Sequence, residues 1–316
     1  MVNQLASDGV YNLVGFVMLV VFVVGLLMNA ILIVIFRNIY NKASSCTNLL
    51  ILSLSVCNLL HVTIYPLNFI AAFSKGWHFG ETGCVLDGFW VHWMAITAIC
   101  HLTLLAVDRF LVMHGKQVIA LRSYKYGSTI GCWLYGLFWS IMPLLGWSKY
   151  ALEGIQIGCS ANFDSHKSED FSYHVILFLT NFILPLALIA GCYIAVFYKL
   201  REHNNKVGDI LTTTVVKSKK GSELEKRLIV LVSHMILAFV IAWTPYAVTC
   251  LLVTIDSNLV SIFLEDLPAI FAKSSVCYLP VVYGLKHTEV RTRFRQFMQN
   301  MRSSREIPSS SGIILS

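Results

Sequence analysis

Lys273 is the only charged residue in an apolar run from 267 to 285. A lysine at the centre of a membrane helix costs about 2.5–3.5 kcal/mol to insert, so an amine kept there has a chemical task. Desolvation favours its neutral, nucleophilic form, which condenses with an aldehyde to give an imine. Asp108 and Arg109 close another uncharged run, 88–107. A guanidinium at the end of a membrane helix requires an anion, and Asp108 and Glu225 are the candidates. The other reading of Glu225 is a solvated charge in the acidic and basic cluster 223–227.

The elements that must position these groups are helices in lipid. The chain is 56% hydrophobic and 13% charged, with a mean hydropathy of +0.68, far from the usage of soluble domains. Charge is absent from 9–36, 43–74, 88–107, 126–148, 171–198 and 228–255, and from 267–285 apart from Lys273. Each stretch suits a spanning helix of roughly 20 residues. A buried helix of a soluble protein would explain any one of them, but not seven. The expected fold is therefore an all-α membrane protein, a seven-transmembrane-helix bundle over 10–285. It follows an external segment at 1–9 and precedes a short amphipathic cytoplasmic helix at 286–299 and a disordered cytoplasmic tail at 300–316.

Basic residues fall in alternate connections: Arg37 and Lys42, then Lys116, Arg122 and Lys125, then Lys199 to Arg227, then the tail. Cytoplasmic loops retain Lys and Arg, so the amino terminus is placed outside and the carboxyl terminus in the cytoplasm of a multi-pass cell-membrane protein. The net charge of +7 is accounted for by that topology and implies no nucleic-acid partner. Seven of the nine cysteines lie in or at the ends of spans. Cys84 and Cys159 face the oxidising side, where a disulfide is expected and two free thiols are the alternative. After the seventh span, Val290, Phe294, Phe297 and Met298 recur among arginines in the pattern of a helix lying on membrane lipid. The serines of the tail are open to phosphorylation.

Several markers coincide with these spans. Asn29 lies in the first, Asp108-Arg109-Phe110 closes the third, and Trp133 lies in the fourth. Pro185 and Tyr193 mark the fifth, Trp243-Thr244-Pro245-Tyr246 the sixth, and Pro280 and Tyr283 the seventh. Together they resemble the rhodopsin-like (class A) G-protein-coupled receptors over about residues 10–298. Pro185, Pro245 and Pro280 free backbone groups and mark hinges. Ala272-Lys273-Ser274-Ser275 narrows the resemblance to the retinal-attachment region of animal opsins, and the loop 146–159 resembles the opsin plug over retinal.

The resemblance implies retinal, 11-cis in the dark, as a protonated Schiff base on Lys273. Asp87 would be its counterion, with Glu153 as the alternative. Asp87 resembles the position used by vertebrate visual opsins, and Glu153 the loop carboxylate used in many invertebrate and bistable opsins. The expected pocket walls are Val91, His92, Ala95, Phe182, Trp243, Tyr246, Ala247 and Ala269, in the few-polar-group style of ligand cavities. His101 reads as a satisfied core histidine. Asp108, Arg109, Phe110, Tyr193, Glu225, Pro280 and Tyr283 would form the coupling and switch machinery. Its partners would be a heterotrimeric G protein and, at the tail, a receptor kinase and arrestin. Two departures stand out: Asn58 where the family usually has Asp, and Leu279 where it usually has Asn. Both put ion binding and the usual activation relay in doubt, so a retinal photoisomerase with weak coupling is the alternative to a signalling receptor that is not an enzyme. A diffusible-amine receptor is disfavoured because Val91 occupies the place of its anchoring acid.

Overall fold

The structure is a computed structural model. It describes residues 5–42, 44–116, 118, 121–165, 167–207, 215–278, 280–282 and 292, with backbone only for 203–207, 215–225, 257, 262 and 263. The first span is α1 (Asp8–Lys42). The second is split into α2 (Cys46–Val62) and α3 (Tyr65–Phe73), because Pro66 at the start of α3 has no N–H to donate back to Val62. The third is the unbroken α4 (Gly80–Met113). The fourth, α5 (Arg122–Ile141), tightens into a 3-10 turn at Met142–Leu145.

A two-stranded antiparallel hairpin follows, β1 (Tyr150–Glu153) and β2 (Gly158–Ala161), which pairs Glu153 with Gly158. The fifth span runs through α6 (Ser168–Phe178), a π turn at Leu179–Ile183 just before Pro185, and α7 (Leu184–Val207). The sixth is α8 (Val215–Ile255), with Pro245 inside it.

Six helical stretches among the described residues are long and apolar enough to cross a membrane. The seventh span begins as the shorter α9 (Ile262–Ser274) and breaks into a 3-10 turn at Ser275–Cys277 before helix resumes. Pro280 explains the break, since it cannot donate to the carbonyl of Val276. That carbonyl instead accepts from the Asn29 side-chain amide at 3.0 Å. The surface helix expected over 286–299, apart from Thr292, lies outside the described residues, as do Tyr283, Leu279 and the Glu225 side chain.

Helix α4 is the centre of the bundle and packs against α2, α5, α7 and α8; α9 packs against α8 and α1. The main core joins Leu50, Leu54, Met94, Leu102, Leu105 and Val232, while outward faces carry apolar residues such as Leu13, Phe16, Leu134, Phe138 and Leu237, as lipid requires. Gly136 lets α5 meet α4. A Cβ there would overlap the Thr97 hydroxyl and lie 2.9 Å from the Trp93 carbonyl oxygen.

Candidate functional site

The hairpin closes one end of the bundle as a lid. The Cys84–Cys159 disulfide ties β2 to the start of α4, with Cα atoms 5.4 Å apart. On the other side, the buried Asp266 of α9 accepts the Ile155 backbone N–H at 2.7 Å. Gly154 lies against that carboxylate with φ +51°, a left-handed conformation that suits glycine. In the sequence Asp266 follows Glu265 and reads as one more acid at the end of a connection. Only the turn at Gly154–Ile155 makes it a buried clamp, so composition alone could not reveal it.

Beneath the lid is a cavity of about 160 Å³, measured as space open to the centre of a water molecule. Its wall includes Lys273 and Glu153 and all eight predicted pocket residues: Val91, His92, Ala95, Phe182, Trp243, Tyr246, Ala247 and Ala269. Trp243 stacks on Phe239 with centroids 5.4 Å apart and meets Tyr246 edge-on at 6.1 Å. The Trp243 indole donates to Ser275 at 2.9 Å, so the cavity floor is joined to the broken turn of the seventh span. His92 donates through Nδ1 to the Tyr150 hydroxyl at 3.2 Å, because that hydroxyl spends its own proton on the Ser140 carbonyl at 2.8 Å.

Asp87 lies outside the wall of this cavity. It is wholly buried behind β2, where it accepts from Asn68 Nδ2 at 3.1 Å and from the Cys159 backbone N–H at 2.8 Å. A water-facing helix-end acid, the other reading of Asp87, is thereby excluded. A Cβ on Gly158 would lie 3.2 Å from Lys273 Nζ and 3.4 Å from Asp87 Oδ2, so the bare glycine lets the amine and the carboxylate approach one another. No ion pair joins them among the described residues. Glu153 is half-buried on the wall of the main cavity, beside Ser160 and Tyr246 in its lining. Burial holds its carboxyl above the usual carboxylate range, opposed by the nearby Lys273 amine. Glu153 and Asp266 share a second small cavity with Lys273 and Asn68.

At the other end of α4, Arg109 is buried and pairs with Asp108 at 2.6 Å; both side chains also hydrogen-bond Thr47, whose hydroxyl donates to Asp108 at 2.6 Å. Phe110 stacks on His114 at 4.3 Å, and Tyr193 is half-buried against the main core. Pro280 is buried. Asn58 is buried beside a third small cavity, with His61, Ser275 and Tyr278, so polar groups still collect there under Trp243. His101 is satisfied on both nitrogens, donating to Thr97 at 2.8 Å and accepting from Ser53 at 2.8 Å.

Residues 12–283 match the family model described as 7 transmembrane receptor (rhodopsin family). The chain belongs to that family, and it is a multi-pass membrane protein. Within the family it is similar to animal opsins. It is 29% identical over 303 residues to the melanopsin of Rutilus rutilus, covering 94% of this chain and 60% of that one. Against the rhodopsin of Enteroctopus dofleini the identity is 28% over 295 residues, covering 90% of this chain and 64% of that one. The chain thus spans about 60% of the length of the melanopsins it matches. The fold superposes on squid rhodopsin with a TM-score of 0.87 at 23% identity, covering 98% of this chain and 94% of that structure.

Proposed function

We propose that the chain is a light-gated receptor that carries retinal on Lys273 and activates a heterotrimeric G protein. The observation that carries this reading is Lys273 at the edge of an apolar, lidded cavity whose wall is built from the side chains expected to receive a polyene. Retinal, bound there as a protonated imine, supplies absorption of visible light and a change of shape on isomerisation. Lys273 holds it, and the lid of β1 and β2 excludes the water that would hydrolyse the bond.

Asp87 supplies the opposing charge. Hydrogen bonds donated by Asn68 and by the Cys159 N–H favour a carboxylate there, and total burial leaves it in need of a cation. Glu153, with its carboxyl held high by burial, is the second candidate. Trp243 is the side chain through which strain in the cavity reaches Ser275 and the hinge at Pro280. Release of the Asp108–Arg109–Thr47 cluster then frees Arg109 for a cytoplasmic partner, with the carboxyl terminus on that side.

The test is to combine the purified chain with 11-cis retinal, record a dark-minus-light difference spectrum, and measure light-dependent nucleotide exchange on several G proteins. A visible pigment with light-driven exchange is expected. Pigment with no exchange on any of them would replace this reading with that of a photoisomerase, and no pigment would remove both.

A further inference from the structure

The cavity wall across from Lys273 is not finished as hydrocarbon. Lys273 sits on α9, which packs against α8 and α1, whereas the fifth span packs against α4 and α8 and forms the far wall with His174, Leu177, Phe178, Asn181 and Phe182. His174 is 4% exposed, and neither ring nitrogen has a hydrogen-bond partner. One face of its ring is covered by Phe163 at 4.4 Å. Asp170, one turn earlier and outside the cavity lining, accepts from Ser165 through Oδ2 at 2.5 Å, and its Oδ1 is buried without a hydrogen bond to the ring.

Asn181, two turns on, donates to the Thr180 hydroxyl at 3.0 Å and leaves Oδ1 buried and unpartnered. Exchanging the amide oxygen and nitrogen does not remove the deficit, because the Thr180 hydroxyl proton is already given to the Ile176 carbonyl at 2.7 Å. Buried polar atoms are ordinarily paired, and a group on the far wall of a ligand cavity that lacks a partner calls for one on the ligand.

On the reading that an aldehyde is tethered at Lys273, the opposite end of the polyene, its ring, lies against this wall. We propose that the cavity takes a retinal whose ring carries a hydroxyl group, with His174 as the hydrogen-bond partner of that hydroxyl and Asn181 as the second polar contact. A neutral imidazole offers one donor and one acceptor, and a hydroxyl can meet either. An unmodified ring would leave both residues unpaired, so discrimination comes from the site's own unsatisfied groups.

The experiment is a competition. The full chain is incubated with equal amounts of 11-cis retinal and its 3-hydroxy analogue, the adducts are trapped with borohydride, and their ratio is read by mass spectrometry. One hydrogen bond corresponds to roughly a tenfold preference for the hydroxylated form. His174→Phe should bring the ratio to about parity, and an unchanged melting temperature of the retinal-free chain in detergent shows that the variant is folded. Asn181→Leu should reduce the preference in part. Parity in the unaltered chain would mean that water serves these atoms and would overturn the proposal, as would a preference that survives His174→Phe. If neither compound is trapped, the reading of Lys273 falls, and this proposal with it.

Discussion

Gly154→Ala tests how the lid is clamped. A Cβ on Gly154 would lie 2.5 Å from Cγ and 2.6 Å from Oδ1 of Asp266, well inside contact distance, so the carboxylate has to leave. Its departure removes the 2.7 Å bond to the Ile155 N–H, and a hydrogen bond to a charged group contributes about 1.5–3 kcal/mol. The φ of +51° adds about 1–2 kcal/mol for any residue with a Cβ. Together these come to about 2.5–5 kcal/mol, which raises the open fraction of the lid by about two orders of magnitude or more. The assay is loss of dark pigment in hydroxylamine, whose rate follows lid opening. Asp266→Ala alone loses only the hydrogen bond, an acceleration of about ten- to a hundredfold. In its background Gly154→Ala adds only the backbone penalty, about tenfold, so the pair is non-additive. An unchanged hydroxylamine rate in Gly154→Ala, or simple additivity, would refute the clamp.

Other outcomes follow from the same structure. Asp87→Asn should convert the dark pigment to an ultraviolet-absorbing form at neutral pH while Glu153→Gln stays visible-absorbing; the reverse spectra would transfer the counterion role to Glu153. Asp108→Asn removes the carboxylate paired with Arg109 and should raise G-protein nucleotide exchange in the dark, and a dark rate equal to that of the unaltered receptor would contradict the restraint. Gly136→Ala forces α5 from α4 and should lower stability by about 1–3 kcal/mol, seen as a lower melting temperature of the retinal-free receptor in detergent. An unchanged melting temperature would show that the two helices can part without cost.

What was legible in the sequence was carried by residue type and long-range pattern. Charge-free stretches announce lipid-spanning helices wherever the chain later bends, and Lys273 stands out because a charge in such a stretch is rare. The disulfide was legible because only two cysteines fall outside the spans. The pocket residues on α4, α8 and α9 come together because the resemblance to opsins brings with it a bundle in which those helices face each other. Properties decided by tertiary contact were not legible. Asp266 reads as one more loop acid until the left-handed Gly154 brings the Ile155 N–H to it. Asp87 is buried by Asn68 and by the backbone of Cys159, a residue far away in sequence. His174 and Asn181 look like ordinary polar residues in a span, and their lack of partners depends on which wall of the cavity they occupy. The interruption of the seventh span could be expected from Pro280, but its stabilisation by Asn29 of the first span could not.

The claim on which everything else rests is that Lys273 carries the chromophore. The direct measurement is to regenerate the purified chain with 11-cis retinal, reduce with borohydride and digest, then identify the modified lysine by mass spectrometry, with Lys273→Ala in parallel. The account predicts a single adduct on the peptide containing Lys273 and neither adduct nor pigment in Lys273→Ala. An adduct on another lysine, or a visible pigment in Lys273→Ala, would contradict it.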